Sequence, residues 1–188
     1  MPIYRPPNRH DRPRSVLVTG GVRSGKSRYA ESLLAEAETV RYIAAGYVPD
    51  ATDPDWADRV RKHQASRPPH WETVESADLG AALSAAPGAV IVDCLGVWLT
   101  RLIDDFGTWN IPYAQWQDSF ESRLSSVIDA WESIESVKIA VTNEVGFGVV
   151  PEHPSGRLFR DLLGITNQRF AASCDDVVLV IAGRSITL

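Results

Sequence analysis

Cysteine is scarce in this 188-residue chain: Cys94 and Cys174 stand alone, without the spacing of a metal site. Buried, reduced thiols are the expectation, in keeping with a cytoplasmic protein. No apolar run approaches the ~20 residues that a membrane span requires, and the start lacks the apolar core of a secretory signal. Basic charge is in the minority, with 19 Lys and Arg against 24 Asp and Glu and a formal net charge of −5. Arg5, Arg9, Arg12 and Arg14 sit within the first fourteen residues, so the remainder is more acidic than the total. A body with no basic stripe argues against a nucleic-acid partner. Internal repeats are also missing. What remains is a chain that is 44% hydrophobic, enough for one domain with a real core over residues 15–188. Residues 1–14, rich in Pro and Arg and without periodicity, read as a flexible tail.

The chain is organised around Ser15 to Ala37, SVLVTGGVRSGKSRYAESLLAEA. Val16-Leu17-Val18 has the length and β-branched content of a buried strand. Gly20 and Gly25 then frame the spacing G-x-x-x-x-G-K-S, a phosphate-binding loop. Glycine lets successive backbone N–H groups converge on phosphate oxygens where a Cβ would intrude. Lys26 brings a point charge to the β- and γ-phosphates, and Ser27 offers a hydroxyl to Mg²⁺. Ala30, Leu33, Leu34 and Ala37 follow at helical spacing, so the loop opens a helix whose N-terminus favours an anion. The chain is expected to bind a nucleoside triphosphate.

Downstream, strands and helices alternate. Val40 to Ala44 reads as a strand that ends at Ala45-Gly46, and Pro49, Asp50, Asp53 and Pro54 mark a loop. A helix is expected from Trp56 to Ser66, with Trp56, Arg59, Val60 and His63 at helical steps, stopped by Arg67-Pro68-Pro69. Trp71 to Val74 suggests a short strand, and an Ala-rich helix runs to about Ala86. Ala89 to Asp93 is a buried strand ending in an acid, the pattern of a carboxylate near Mg²⁺ or its water shell. Helices follow over Leu95 to Ile103 and along Trp116, Phe120, Leu124, Val127, Trp131 and Ile134. The next strand, Val137 to Thr142, runs straight into Asn143-Glu144 and then Gly146, Gly148 and Pro151. Polar groups at a strand end are where open α/β sheets bind ligands, and a bent glycine loop explains them equally well. A helix over Leu158 to Phe170, a strand over Val177 to Ala182 and a short edge over Ser185 to Leu188 complete the chain. The alternation predicts an α/β fold: a mostly parallel, RecA-like P-loop NTPase sheet with helices on both faces.

Five blocks carry a family resemblance: LVTGGVRSGKSRYAE, RYIAAG, RVRKHQASRPPHWETVE, VIVDCLGVWLT, and the long stretch from VTNEVGFGVVPEHPSGRLFRDLLGITNQRF to VVLVIAG. Together they cover residues 15–188. The sequence resembles the bifunctional adenosylcobinamide kinase/adenosylcobinamide-phosphate guanylyltransferases of cobalamin biosynthesis. The first block suits many kinases; the third and fifth are far more specific, above all NEVG-G-VP and NQR.

The resemblance implies two reactions. One transfers a γ-phosphate from ATP or GTP to the hydroxyl of adenosylcobinamide. The other passes GMP from GTP, through a guanylylated histidine, to give adenosylcobinamide-GDP. The match to R-[IV]-x-x-H-x-x-x-R-P puts that histidine at His63, whereas the residues alone read it as a helix-surface histidine. His63 and Lys26 are thus the candidate catalytic residues. The implied nucleotide contacts fall on Gly20, Gly21, Val22, Arg23, Ser24, Gly25, Lys26 and Ser27, on Ala44, Ala45 and Gly46, on Gln64, Ala65, Ser66 and Arg67, and on Glu75 and Asp93. Mg²⁺ is implied in both reactions, with Ser27 and Asp93 as its candidate ligands, and so is a homotrimer. Two features depart from the family pattern: a longer loop from Gly46 to Asp55, and Arg101 in place of an Asn. Two rival readings stay open: a P-loop kinase for another small alcohol, which leaves the His63 block unused, and a RecA-like nucleotide switch.

Overall fold

The structure is a computed structural model that describes residues 14–47, 54–65 and 67–188. The expected tail over residues 1–13, most of the loop before Asp55, and Ser66 lie outside the described residues. The chain order is β1 (Ser15–Thr19), α1 (Lys26–Ser32), β2 (Val40–Ala44), α2 (Pro54–Ala65), β3 (Glu72–Glu75), α3 (Leu79–Ser84) and β4 (Ala89–Asp93). It continues with α4 (Leu95–Phe106), α5 (Gln117–Glu132), β5 (Lys138–Val141), α6 (Pro154–Ala172), β6 (Asp176–Ile181) and β7 (Arg184–Thr187).

The seven strands form one sheet in the order β3-β2-β4-β5-β1-β6-β7. Every pairing is parallel except the terminal hairpin, β6 with β7. The inner strands are buried on both sides, which is why they read as unbroken apolar runs rather than alternating ones. The pleat nevertheless sorts their side chains. Leu17, Ile43, Val90, Val92 and Ala140 face a core built by α3, α4, α5 and α6, in which Trp98, Phe120, Trp131 and Phe170 are buried. Val16, Val18, Tyr42, Ile91, Ile139 and Val178 face the other way, onto Ala30 and Leu34 of the α1 segment and onto Trp71.

Local signals set several boundaries. The Asp78 side chain accepts from the Ala81 N–H at 3.1 Å and caps α3. Gly107, with φ 64°, ends α4 three residues beyond the expected Ile103. At the far end of α5, the buried Lys138 donates to the carbonyls of Trp131 at 2.7 Å and Ile134 at 3.0 Å. A cation there satisfies carbonyls left over by the helix.

Two expectations need adjusting. The helix after the phosphate loop was expected to run to Ala37 but stops at Ser32. Beyond it the N–H groups of Leu33, Leu34, Ala35 and Ala37 bond three residues back, a tighter winding. That rotates Leu33 outward, to 38% exposure, while Ala30 and Leu34 stay in the core. Arg14, placed by composition in the tail, joins the sheet: its carbonyl accepts from Lys138 N–H and its guanidinium pairs with Asp176. Among the described residues, no helix is long and apolar enough to cross a membrane.

Candidate active site

The carboxyl ends of five neighbouring strands meet at one cleft of about 680 Å³, counted to its open mouth. Lys26 and Ser27 follow β1, Ala44 and Gly46 come from the end of β2, Glu75 ends β3, Asp93 ends β4, and Asn143 follows β5. Val60 and His63 reach it from α2, and Arg67 from just beyond that helix. A crevice outside the carboxyl ends of parallel strands is where this architecture binds ligands.

The phosphate loop is braced from behind. A Cβ on Gly20 would stand 2.4 Å from the Val180 carbonyl oxygen and 2.7 Å from Ser24 Oγ, so only glycine fits. Gly25 has φ 94°, which strains any other residue. Arg23 also takes a left-handed conformation, φ 59°, at the turn of the loop. The Gly183 N–H donates to the Ser24 carbonyl at 2.8 Å, so the β6–β7 hairpin holds the loop in place. Lys26 is only 7% exposed, and its ammonium folds back to the Gly21 carbonyl at 3.3 Å.

Around the cleft, side chains are linked in pairs. Gln64 Nε2 donates to Glu75 Oε1 at 3.2 Å, and Arg67 Nη1 donates to Thr73 Oγ1 at 3.2 Å. Tyr42 donates its phenolic hydrogen to Asp93 Oδ2 at 2.7 Å. Asn143 is held by its backbone: its carbonyl accepts from Asn167 Nδ2 at 3.1 Å, and Asn167 Oδ1 in turn accepts from the Thr142 hydroxyl at 2.6 Å. The NQR motif is therefore a brace for the β5 end. Arg169 of the same motif ties α6 to Glu121 and Ser125 of α5.

Charge is unevenly distributed. Burial pushes the Glu31 carboxyl up to about 7; the nearby Asp93 adds to the shift, while Arg67 and Arg28 oppose it. Cys94 also lines the cleft, yet burial pushes its thiol up to about 11, so it is no thiolate nucleophile near neutral pH. Among the described residues, no group of three His, Cys, Asp or Glu side chains could cage a metal. Ser27 and Asp93 offer two hard oxygen donors beside Lys26, which suits Mg²⁺ that takes its remaining ligands from phosphates and water.

Most of the expected site residues thus come together. Gly20 to Gly25 form the loop, and Lys26, Ser27, Ala44, Gly46, His63, Arg67, Glu75 and Asp93 line the cleft. Ala45 is fully buried in the core, and Ala65 is exposed at the end of α2; neither side chain lines the cleft. Ser66 lies outside the described residues. Arg101, the departure from the family pattern, donates to the Gly46 carbonyl at 3.0 Å and lies 5.3 Å from the centre of the Tyr47 ring. It supports the turn after β2. Tyr42, Tyr47, Val60, Val97 and Asn143 are lining residues that the sequence did not single out one by one. Only Asn143 carried a signal, as a polar residue at a strand end.

Residues 16–188 match the family described as cobinamide kinase / cobinamide phosphate guanyltransferase. This chain belongs to that family. Its relatives include the bifunctional adenosylcobalamin biosynthesis protein CobU of Salmonella typhimurium, 38% identical over 92% of this chain and 98% of that protein. CobU of Escherichia coli is 36% identical over the same shares. The bifunctional protein CobP of Pseudomonas aeruginosa is 35% identical over 92% of this chain and 95% of its own length. Among solved structures, the RadB recombinase aligns with a TM-score of 0.45 at 11% identity, covering 88% of this chain and 73% of that one.

Proposed function

We propose that this member of the cobinamide kinase/guanyltransferase family performs both transfers in its one cleft, with His63 as the guanylyl carrier. The reading is carried by one observation: the phosphate loop with Lys26, the acid Asp93 and the imidazole of His63 all face the same space. A plain P-loop kinase gives His63 and the paired Gln64–Glu75 no task.

In the kinase step, the corrinoid's hydroxyl oxygen attacks the γ-phosphorus and the bond to the β-bridging oxygen breaks. The nucleoside diphosphate leaves, and the hydroxyl proton passes to solvent. Lys26 and the loop N–H groups hold the triphosphate, because phosphoryl transfer depends chiefly on positioning and charge. In the guanylyl step, a His63 ring nitrogen attacks the α-phosphorus of GTP through its lone pair, and pyrophosphate leaves. An oxygen of the corrinoid phosphate then attacks the guanylyl phosphorus. The N–P bond breaks, its electrons return to the imidazole, and adenosylcobinamide-GDP is released. Arg67 offsets phosphate charge, and Glu75 accepts hydrogen bonds from the nucleotide. Mg²⁺, held by Ser27 and Asp93, would supply charge neutralisation on the phosphates in both steps. A homotrimer in the cytoplasm is the setting the resemblance suggests, and light scattering on purified protein measures the assembly.

Mass spectrometry of the denatured protein after GTP incubation tests the reading. A GMP adduct is expected, acid-labile and base-stable as an N–P bond to histidine is. His63→Ala should abolish the adduct and all guanylyl transfer while leaving the kinase step. Full guanylyl transfer in His63→Ala, or an adduct mapped to His70 or His153, overturns it.

A further inference from the structure

Asp93 and Arg67 arrive at the cleft from different parts of the chain, and one side chain with no assigned role touches both. Tyr42 is 1% exposed, on the sheet face covered by α1, with its ring 6.5 Å from that of Trp71. The parallel register sets Ala44 beside Asp93 and Tyr42 beside Ile91, so the phenol points along the sheet toward the Asp93 carboxylate. Its hydroxyl donates to Oδ2 at 2.7 Å. Over its ring lies the Arg67 guanidinium, with its central carbon 3.6 Å from the ring centroid. Phenylalanine would fill the same apolar volume, so packing alone does not account for the hydroxyl.

Arg67 shows what this contact accomplishes. Its Nη1 is bound to Thr73, while its buried Nε has no hydrogen-bond partner. Stacking on an aromatic face holds a guanidinium without consuming its donors. The cation is thus held in place with donor capacity in reserve. On the Asp93 side, a hydrogen bond to one carboxylate oxygen restrains the group's rotation and leaves the other oxygen to a metal's shell.

We infer that Tyr42 is a positioning residue shared by both reactions: its hydroxyl orients Asp93 toward the metal, and its ring fixes Arg67 over the cleft. This rests on the proposed assignment of Asp93 to Mg²⁺ and Arg67 to nucleotide phosphate. It predicts that the two halves of the Tyr42 side chain separate experimentally.

The test is calorimetric binding of α,β-methylene-GTP, which cannot transfer its guanylyl group, with Mg²⁺ and with EDTA. Tyr42→Phe keeps the ring, so affinity in EDTA should stay within about twofold, while the Mg²⁺-dependent gain should fall about tenfold. Asp93→Asn should lose that gain too, and the double variant should lose no more than Asp93→Asn alone, because the hydroxyl acts through that carboxylate. Tyr42→Leu removes the ring as well and should weaken binding in EDTA also. Wild-type Mg²⁺ gain in Tyr42→Phe, or additive losses in the double variant, overturns the inference. A wild-type protein whose binding gains nothing from Mg²⁺ instead overturns the Asp93 assignment beneath it. Absence of the GMP adduct would remove the guanylyl reading and leave this binding test intact.

Discussion

The two faces of the sheet do different work. On one, α3 to α6 bury Trp98, Phe120, Trp131 and Phe170 against Leu17, Ile43 and Val90. There the rings of Trp131 and Phe170 stand edge to face at 5.5 Å, as do Tyr113 and Trp116 at 5.1 Å. On the other face lies the short α1, and the buried Tyr42 sits beneath the Arg67 guanidinium with Trp71 beside it. Buried polar atoms are left unpartnered on both faces, Trp131 Nε1 and Tyr113 Oη on the first, Glu31 Oε1 and Arg67 Nε by the cleft. A buried polar atom without a partner costs stability unless a ligand supplies one. The first face secures the fold with packed aromatic rings, and the second places its buried groups at the border of the cleft.

This contrast can be broken by substitution. Lys26→Ala should show the largest effect, on activity alone. Both reactions should fall at least about a hundredfold, from loss of transition-state charge stabilisation, with the melting temperature nearly unchanged. Steady-state assays beside calorimetric unfolding check it; a large loss of stability would place Lys26 in the core rather than the site. Phe120→Ala is the mirror case. Its ring is fully buried between Tyr113 and Trp116, so truncation should cost about 3–5 kcal/mol in denaturant unfolding. The fraction that remains folded should keep its nucleotide affinity.

The smallest effect sharpens the boundary between the faces. Glu31 belongs to α1, and its carboxyl is pushed up to about 7 in the fold, mainly by burial. The native state then binds a proton that the unfolded chain has released. Stability from this group is complete below its unfolded pKa of about 4.5 and is lost as pH rises through about 7. Glu31→Gln should therefore raise the metal-free melting temperature at pH 8 by a few degrees and leave it unchanged at pH 4.5. An equal shift at both values would rule out titration of Glu31 as the cause.

Element types were readable throughout because strand and helix periods differ and the Gly and Pro breaks are clear. Errors fell where tertiary forces set an end: α1 stops at Ser32, and Arg14 is drawn into the sheet by Asp176 and Lys138. From sequence, Lys138 is simply part of the strand expected over Val137 to Thr142. The fold explains it as the group that closes the carbonyl end of α5. His63 was legible only through its neighbours in the third block, since a polar helix gives no sign of what it faces.

The phosphate loop was legible in sequence alone. Gly20, a Gly25 at φ 94° and the Lys26 and Ser27 that follow lie within eight residues, while the brace from Val180 and Gly183 behind them belongs to the tertiary structure. The rest of the site was decided by strand order. Tyr42 meets Asp93 because β2 pairs with β4 in one register, and Arg101 meets Gly46 across fifty-five residues because α4 begins at the end of β4. Backbone preferences act over a few neighbouring residues. Contacts between distant residues exist only once the sheet has chosen which strands lie side by side.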